Sequence, residues 1–348
     1  MRSPGMFTYL LLSIFLFSHS AGLSQIKMIA SEFIFDKAPF KSCHASTLVK
    51  TPDGEIVCAW FGGKEESDTG VAIWSARRKN NQWSSPKIII KEPDASMYNP
   101  VLFYTDDHNL SLYYKYGLSP MTWSAAFMTS KDDGITWSSP NYLPAGLFGP
   151  IRAKPILLSD GTVLAGSSIE SFKTWTAWID QSKDQGKTWA MHIPIEIYPS
   201  IYTQSSSEKN KPKGIIQPSL VDLGNQHIKM YCRSTMHIGK IVTADSYDNG
   251  KVWTKATTIN LPNPNSGIDA LVLKDHRILM VYNHTNSGRT PLNLAIGDDG
   301  NHFEKIYTLE STPGEYSYPA MIIDGDGVVH ISYTWNRIKI KYCRLRIE

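Results

Sequence analysis

Ser130-Lys131-Asp132-Asp133-Gly134-Ile135-Thr136-Trp137 is one of three near-copies of a single phrase in this chain. The others are Ser182-Lys183-Asp184-Gln185-Gly186-Lys187-Thr188-Trp189 and Ser246-Tyr247-Asp248-Asn249-Gly250-Lys251-Val252-Trp253. A worn fourth copy runs Asp298-Asp299-Gly300-Asn301-His302-Phe303, and a remnant at Trp83 keeps the aromatic and the following Ser85-Pro86. An Asp side chain bonds back to nearby backbone N–H groups and Gly permits a positive φ, so Asp-x-Gly builds a tight turn over which the Trp can fold. Recurrence at intervals of roughly fifty residues marks a repeat architecture and suits one blade of a β-propeller.

Each repeat opens with a short apolar strand, turns at Asp-Gly or its equivalent, and continues into an aromatic-rich strand. The openings are residues 45–50, 100–105, 155–159, 218–223, 270–274 and 319–324. Their turns fall at Asp53-Gly54, Asp107-His108, Asp160-Gly161, Gly224-Asn225, Asp275-His276 and Asp326-Gly327. Alternating apolar runs joined by such pairs are hairpin signals, and six of them predict six blades. Residues 27–35 form a spare strand at the front, while the last repeat ends at Glu348 without a phrase of its own. The N-terminal strand is therefore expected to complete the last blade and close the ring, which removes exposed edges. No helical period of useful length interrupts this pattern, so residues 25–348 read as one all-β domain.

Composition narrows the partners. The net charge of +3 over 348 residues is too small to argue for nucleic acid or a membrane surface. Arg2, the apolar run from Phe7 to Phe17 and the small residues Ser20, Ala21, Gly22 and Ser24 follow the order of a secretory signal peptide, so residues 1–24 are expected to be removed. The run is too short for a membrane anchor, and the mature protein is expected in the periplasm or outside the cell. Four cysteines in such a chain raise the question of disulfides. The hairpin at Pro52-Asp53-Gly54 sets Cys58 opposite Val49 rather than Cys43, which favours buried free thiols. Asn109-Leu110-Ser111 and Asn283-His284-Thr285 have the glycosylation acceptor pattern, relevant only in a eukaryotic source. No metal-ligand spacing occurs, and no cofactor is called for.

In a propeller the first strand of every blade lines the central channel, so residues just before those strands converge on one mouth. Reading the entrances gives His44, Asp68, Tyr98, Asn99, Arg152, Lys154, Gln217, Arg233, Asn263, Asn265, Asp269, Arg289, Tyr316, Tyr318, Tyr333 and Arg337, among Trp60, Trp123, Trp175 and Trp335. Singly, each is an ordinary turn or rim residue. Together, convergent polar groups with aromatic walls describe a sugar-binding pocket. The cations Arg152, Lys154, Arg233 and Arg289 suggest an anionic group on that sugar, since guanidinium pairs with carboxylate bidentately.

With these residues in hand the chain resembles the sialidase (neuraminidase) superfamily over nearly its whole mature length, in its Asp boxes, its blade count and its motif order. The resemblance implies an exo-acting glycosidase for a terminal acidic sugar. It aligns Asp68 in Lys64-Glu65-Glu66-Ser67-Asp68 with the acid/base, Arg233 in Tyr231-Cys232-Arg233 and Arg289 in Ser287-Gly288-Arg289 with two members of an arginine triad, and Tyr316 in Gly314-Glu315-Tyr316 with the nucleophile. Three positions depart from the family. His44 stands where the first triad Arg is expected, Thr334 where that Arg has its supporting Glu, and Gln217 where a Glu activates the nucleophile. A phenol with a pKa near 10 attacks poorly without such a base. Two other readings therefore stay open: a lyase or hydrolase working at a uronic acid linkage with His44 as acid or base and Tyr316 as its partner, and a propeller that only binds glycan. The remaining candidates, Arg152, Lys154, Gln217, Asp269, Tyr318 and Arg337, are expected to hold substrate. Glu315 neighbours Tyr316, but strict strand alternation would point it away.

Overall fold

The structure, a computed structural model, describes residues 26–106, 109–203 and 210–347. The candidate signal peptide and the turn at Asp107-His108 lie outside the described residues. Among the described residues no helix is long and apolar enough to cross a membrane, and no group of three His, Cys, Asp or Glu side chains is placed to hold a metal ion.

The architecture is all-β and propeller-like. Inner strands are covered on both faces and read as continuous buried runs, as in Ser42–Lys50 and Tyr316–Ile323, whereas the outer strand Glu304–Glu310 carries no fully buried residue. Apolar clusters fill the spaces between sheets. Val57, Ala59 and Phe61 of one sheet, for example, pack with Leu102, Leu110 and Leu112 of the next. The N-terminal strand Ile26–Phe33 pairs antiparallel with Lys339–Ile347, from Ile26 opposite Ile347 to Phe33 opposite Lys341, and joins Val328–Trp335 and Tyr316–Ile323 in a four-stranded sheet.

Among the described residues hydrogen bonding divides the strands into five sheets rather than the six expected. One of them has eight strands, in which the meander from Ile156–Leu157 to Ala190–Pro194 is joined to the meander from Lys213–Asp222 to Thr257–Pro262. The joint is a short parallel contact, Thr174 with Lys213 and Trp175 with Gly214. Gly214 makes it possible, because a Cβ there would lie 1.8 Å from the Trp175 carbonyl oxygen and its φ is +134°.

The repeated phrases form closed turns. Ser130 Oγ donates to Asp132 Oδ1 at 2.7 Å and accepts from Gly134 N at 2.7 Å, while Asp132 Oδ1 accepts from Thr136 N at 2.8 Å. The Ser182 turn repeats these bonds at 2.8 Å each, and Trp189 Nε1 closes it onto Gly186 O at 3.0 Å. The turns also tie sheets together. Tyr113 of the preceding sheet donates to Gly186 O at 3.0 Å, and Tyr231 donates to Gly300 O at 2.8 Å. A Cβ on Gly186 would strike the Tyr113 hydroxyl at 2.1 Å, so glycine is needed there for space as well as for its positive φ.

All four cysteines are free and buried, and burial pushes the Cys58 thiol up to about 12. Cys58 faces Leu48, one residue from the expected register, because Thr51 closes the loop onto Glu55 and makes Lys50 and Ile56 the first pair. Asn283, within one acceptor pattern, is fully buried and donates to the carbonyls of Arg289, Pro291 and Tyr316, so it is inaccessible to modification in the folded chain.

Candidate functional site

Four inner strands carry the same irregularity at their mouth ends. The register slips between His44 and Thr47, Tyr98 and Val101, Ile216 and Ser219, and Ser317 and Ala320. At each slip one residue is left-handed: Ala45 (φ 54°), Asn99 (φ 41°), Gln217 (φ 58°) and Tyr318 (φ 50°). Such a conformation costs a non-glycine residue about 1–2 kcal/mol, and bulges of this kind re-aim side chains beside functional sites. Three of the four precede proline, at Pro100, Pro218 and Pro319, which brings no N–H to be left unpaired at the break.

Tyr318 is the centre of the mouth. Its hydroxyl accepts from Arg233 Nη1 at 2.8 Å and from Gln217 Nε2 at 3.2 Å, and Arg233 Nη1 also lies 3.4 Å from Gln217 Oε1. A guanidinium can only donate, so Gln217 turns its carbonyl to Arg233 and its NH2 to Tyr318. The phenolic oxygen thereby accepts twice. Three guanidiniums, of Arg152, Arg289 and Arg233, stand 5.3, 5.6 and 5.8 Å from the Tyr318 ring centroid. Tyr316, the expected nucleophile, turns the other way. It is 1% exposed in the apolar core and faces Trp335 across the register. The bulge between Ser317 and Ala320 is what brings Tyr318, two residues on, to the mouth.

His44 and Thr334 touch: the imidazole Nδ1 and the hydroxyl are 3.0 Å apart. The His44 ring lies 4.2 Å from that of Tyr318, and its Nε2 is buried without a partner. Burial, with Arg337, Arg289, Arg152 and Arg233 nearby, holds its pKa well below the usual histidine value. A neutral imidazole keeps one ring N–H but is a poor general acid, because only the imidazolium gives up its proton readily near neutral pH.

The arginines differ in how they are held. Arg233 gives Nε to Asn265 Oδ1 at 2.7 Å and lies 5.6 Å from the Trp175 ring, leaving Nη2 without a partner among the described residues. Arg289 gives Nη1 to Glu315 Oε1 at 3.0 Å. Arg337 is held by two carboxylates, Glu315 at 2.9 Å and Glu66 at 2.6 Å. Arg152 is 3% exposed, donates to the Pro319 carbonyl, and leaves Nε and Nη1 buried and unpartnered. Burial lowers its pKa, against the pull of Asp269. Glu315 thus bridges two site arginines instead of pointing away, because it precedes the regular strand and pairs as an isolated bridge with Arg289.

Three candidates stand apart from this centre. Asp68 is half-buried on the loop after Ile56–Gly63, and its Oδ1 accepts the Gly70 N–H at 2.7 Å within its own turn. Asp269 accepts from Ser219 Oγ at 2.7 Å and Met321 N at 2.8 Å, clipping three inner strands together. Lys154 reaches the Met321 carbonyl at 3.3 Å and shares a separate channel cavity with Asp269 and Ser219. Those contacts make Asp269 and Lys154 part of the channel wall.

Beside Arg233 and Arg289 opens a cleft of about 620 Å³, lined also by Trp175, Met236, Pro264 and Asn265. Glu66 and Glu170, the latter at the end of Val163–Glu170, are absent from the residues expected at the mouth, and Glu315 is set aside there on strand alternation. The position of Glu170, at the end of the second strand of its meander as Arg233 is near the end of the next, is a signal that strand order alone could have supplied.

Residues 54–331 match the family described as BNR repeat-like domain. Among solved structures, a protein of unknown function from Dyadobacter fermentans superposes with a TM-score of 0.77 at 18% identity, over 93% of this chain and 99% of that one. The NanB sialidase of Streptococcus pneumoniae gives 0.72 at 12%, over 90% and 70%. The α-L-arabinanase of Penicillium chrysogenum, complexed with arabinobiose, gives 0.66 at 14%, over 91% and 98%. At such identities the likeness establishes the fold. No curated protein matches the sequence. Strand topology, structural neighbours and family match agree: the chain belongs to the BNR repeat-like domain family and has a sialidase-like β-propeller fold.

Proposed function

We propose that the protein is a secreted exo-glycosidase that takes a terminal acidic sugar into the cleft beside Arg233 and Arg289. The observation that carries this reading is the convergence of both guanidiniums on the Tyr318 ring, at 5.8 and 5.6 Å, with their remaining N–H groups beside a cleft walled by Trp175. Cations over an aromatic floor suit a sugar ring bearing a carboxylate. The eight-stranded sheet is read as two four-stranded blades, which gives a six-bladed ring. Tyr318, rather than Tyr316, is the hydroxyl assigned to the reaction, and the donors Arg233 and Gln217 fix its oxygen in place at the mouth.

One observation supports a second reading. Gln217 is an amide and no base for the Tyr318 hydroxyl, so the Tyr318 oxygen could instead serve at the proton beside the carboxylate of a uronic acid, taking that proton as the adjacent C–O bond breaks and a C=C bond forms. Incubation with a fluorogenic sialoside and with rhamnosyl-glucuronate oligosaccharides separates the two. Release of the free acidic sugar supports the glycosidase, and a rising ultraviolet absorbance of an unsaturated uronate supports the lyase. Glycan binding with no turnover of either class refutes both and leaves a binding protein. Secretion is checked by N-terminal sequencing of the mature protein, expected to begin near residue 25.

A further inference from the structure

We propose that Glu170 is the proton-transferring residue of this cleft, giving its proton to the glycosidic oxygen as the C–O bond to the acidic sugar breaks. The water that completes hydrolysis adds its oxygen to the sugar and returns a proton to Glu170, so the two products carry new hydroxyls and the carboxyl is restored. The assignment rests on the glycosidase reading and adds the group that reading lacks.

The geometry comes from the strand. Glu170 is the register partner of Trp175, and opposed residues on antiparallel strands share a face. The Trp175 indole lies on that face within 5.6 Å of the Arg233 guanidinium, and Trp175 and Arg233 wall the cleft together. Gly166, four residues back on the same face, abuts the neighbouring inner strand: a Cβ there would lie 2.1 Å from the Pro218 carbonyl oxygen, one residue beyond Gln217. Glu170 therefore lies on the face turned toward the strand that delivers Gln217, within the electrostatic reach of Arg233, which itself donates to Tyr318. Its carboxylate has no hydrogen bond or ion pair among the described residues, unlike Glu66, Glu315 and Asp68. Burial raises its pKa, Arg233 draws it down and Glu66 pushes it up. A carboxyl left unpaired beside a cation, in a partly desolvated cleft, is suited to exchanging a proton with substrate.

The experiment compares wild type, Glu170→Gln and Asp68→Asn on an alkyl and a 4-nitrophenyl glycoside of the acidic sugar that wild type cleaves. An aryl leaving group departs without protonation and an alkoxide does not. Glu170→Gln should lose about 10²- to 10⁴-fold on the alkyl glycoside, far less on the nitrophenyl one, and should lose the alkaline limb of the pH–rate profile. Glu170→Asp should keep that limb at a reduced rate, and it decides the matter should Glu170→Gln fail to fold. Equal losses on both substrates, or the leaving-group signature in Asp68→Asn instead, overturn the assignment. A wild type that cleaves no acidic glycoside overturns the glycosidase reading itself, whereas an active enzyme indifferent to Glu170 overturns this inference alone.

Discussion

The repeated turns and the mouth treat polar groups in opposite ways. In the Ser182 turn, Ser182, Asp184, Gly186, Thr188 and Trp189 form one closed set of bonds between 2.6 and 3.0 Å. At the mouth His44 Nε2 and Arg152 Nε and Nη1 are buried with no partner among the described residues, and Glu170 has none among them either. Buried donors normally find acceptors, and leaving one unpaired costs about 1–3 kcal/mol. The turns hold the fold. The mouth holds unmet polar groups in place through that fold, as binding sites do.

Substitutions can break this comparison, and the largest effect is expected at its centre. Tyr318→Phe should lower turnover on the order of 10³-fold or more while leaving Tm unchanged, whereas Tyr316→Phe should alter turnover by less than about threefold. The reverse ranking in steady-state kinetics would return the reacting hydroxyl to Tyr316. Arg233→Met should weaken binding of an acidic monosaccharide by about 10- to 100-fold, the worth of one charge-assisted hydrogen bond, with a neutral sugar as control in calorimetry.

On the architectural side, Gly166→Ala forces a methyl into the Pro218 carbonyl and should cost about 1–3 kcal/mol in denaturant unfolding. Asp184→Ala should cost about 1 kcal/mol by releasing the N–H of Thr188 and the hydroxyls of Ser182 and Thr188, without any change in kinetics. An altered KM in that variant would show that turns and mouth are coupled.

Lys115 tests whether every unpaired charge marks the site. It is fully buried, gives Nζ to the Pro150 carbonyl at 2.8 Å, and burial lowers its pKa to about 7. An unfolded lysine keeps its proton up to about 10.4, so from about pH 7 to 10 the unfolded chain binds more protons and stability should rise with pH. Asp180, raised to about 6 by burial, gives the opposite slope between about pH 4 and 6, where the folded chain binds more protons. Lys115→Met should flatten the alkaline rise in chemical-denaturation curves and leave turnover unchanged.

Much of the fold was legible because it is local. A Ser-x-Asp-x-Gly turn needs only its own eight residues, and the apolar openings need only their own alternation. The register of the hairpin lies one residue from that expected, since it is set by the closure of Thr51 onto Glu55 rather than by the Asp53-Gly54 pair alone. The mouth was legible as a list of residue types, and two of its members, His44 and Thr334, touch at 3.0 Å. Its internal order was not. Alternation placed Glu315 outside and Tyr316 inside the site; Glu315 instead bridges to Arg289 ahead of the regular strand, and the bulge after Ser317 brings Tyr318 to the mouth in place of Tyr316.

By itself the amino-acid sequence determined the all-β repeat, the turns, the closing strand and the set of cations from which an anion site could be built, because each follows from periodicity or from a residue's own chemistry. Only the tertiary structure decided that Tyr318 is the central hydroxyl, that Glu315 holds Arg289 and Arg337, and that Glu170 lies unpaired beside Arg233. Those choices are made by bulges and by contacts between residues far apart in sequence, such as Gln217 and Tyr318 at 101 positions and Glu66 and Arg337 at 271, which strand alternation cannot supply.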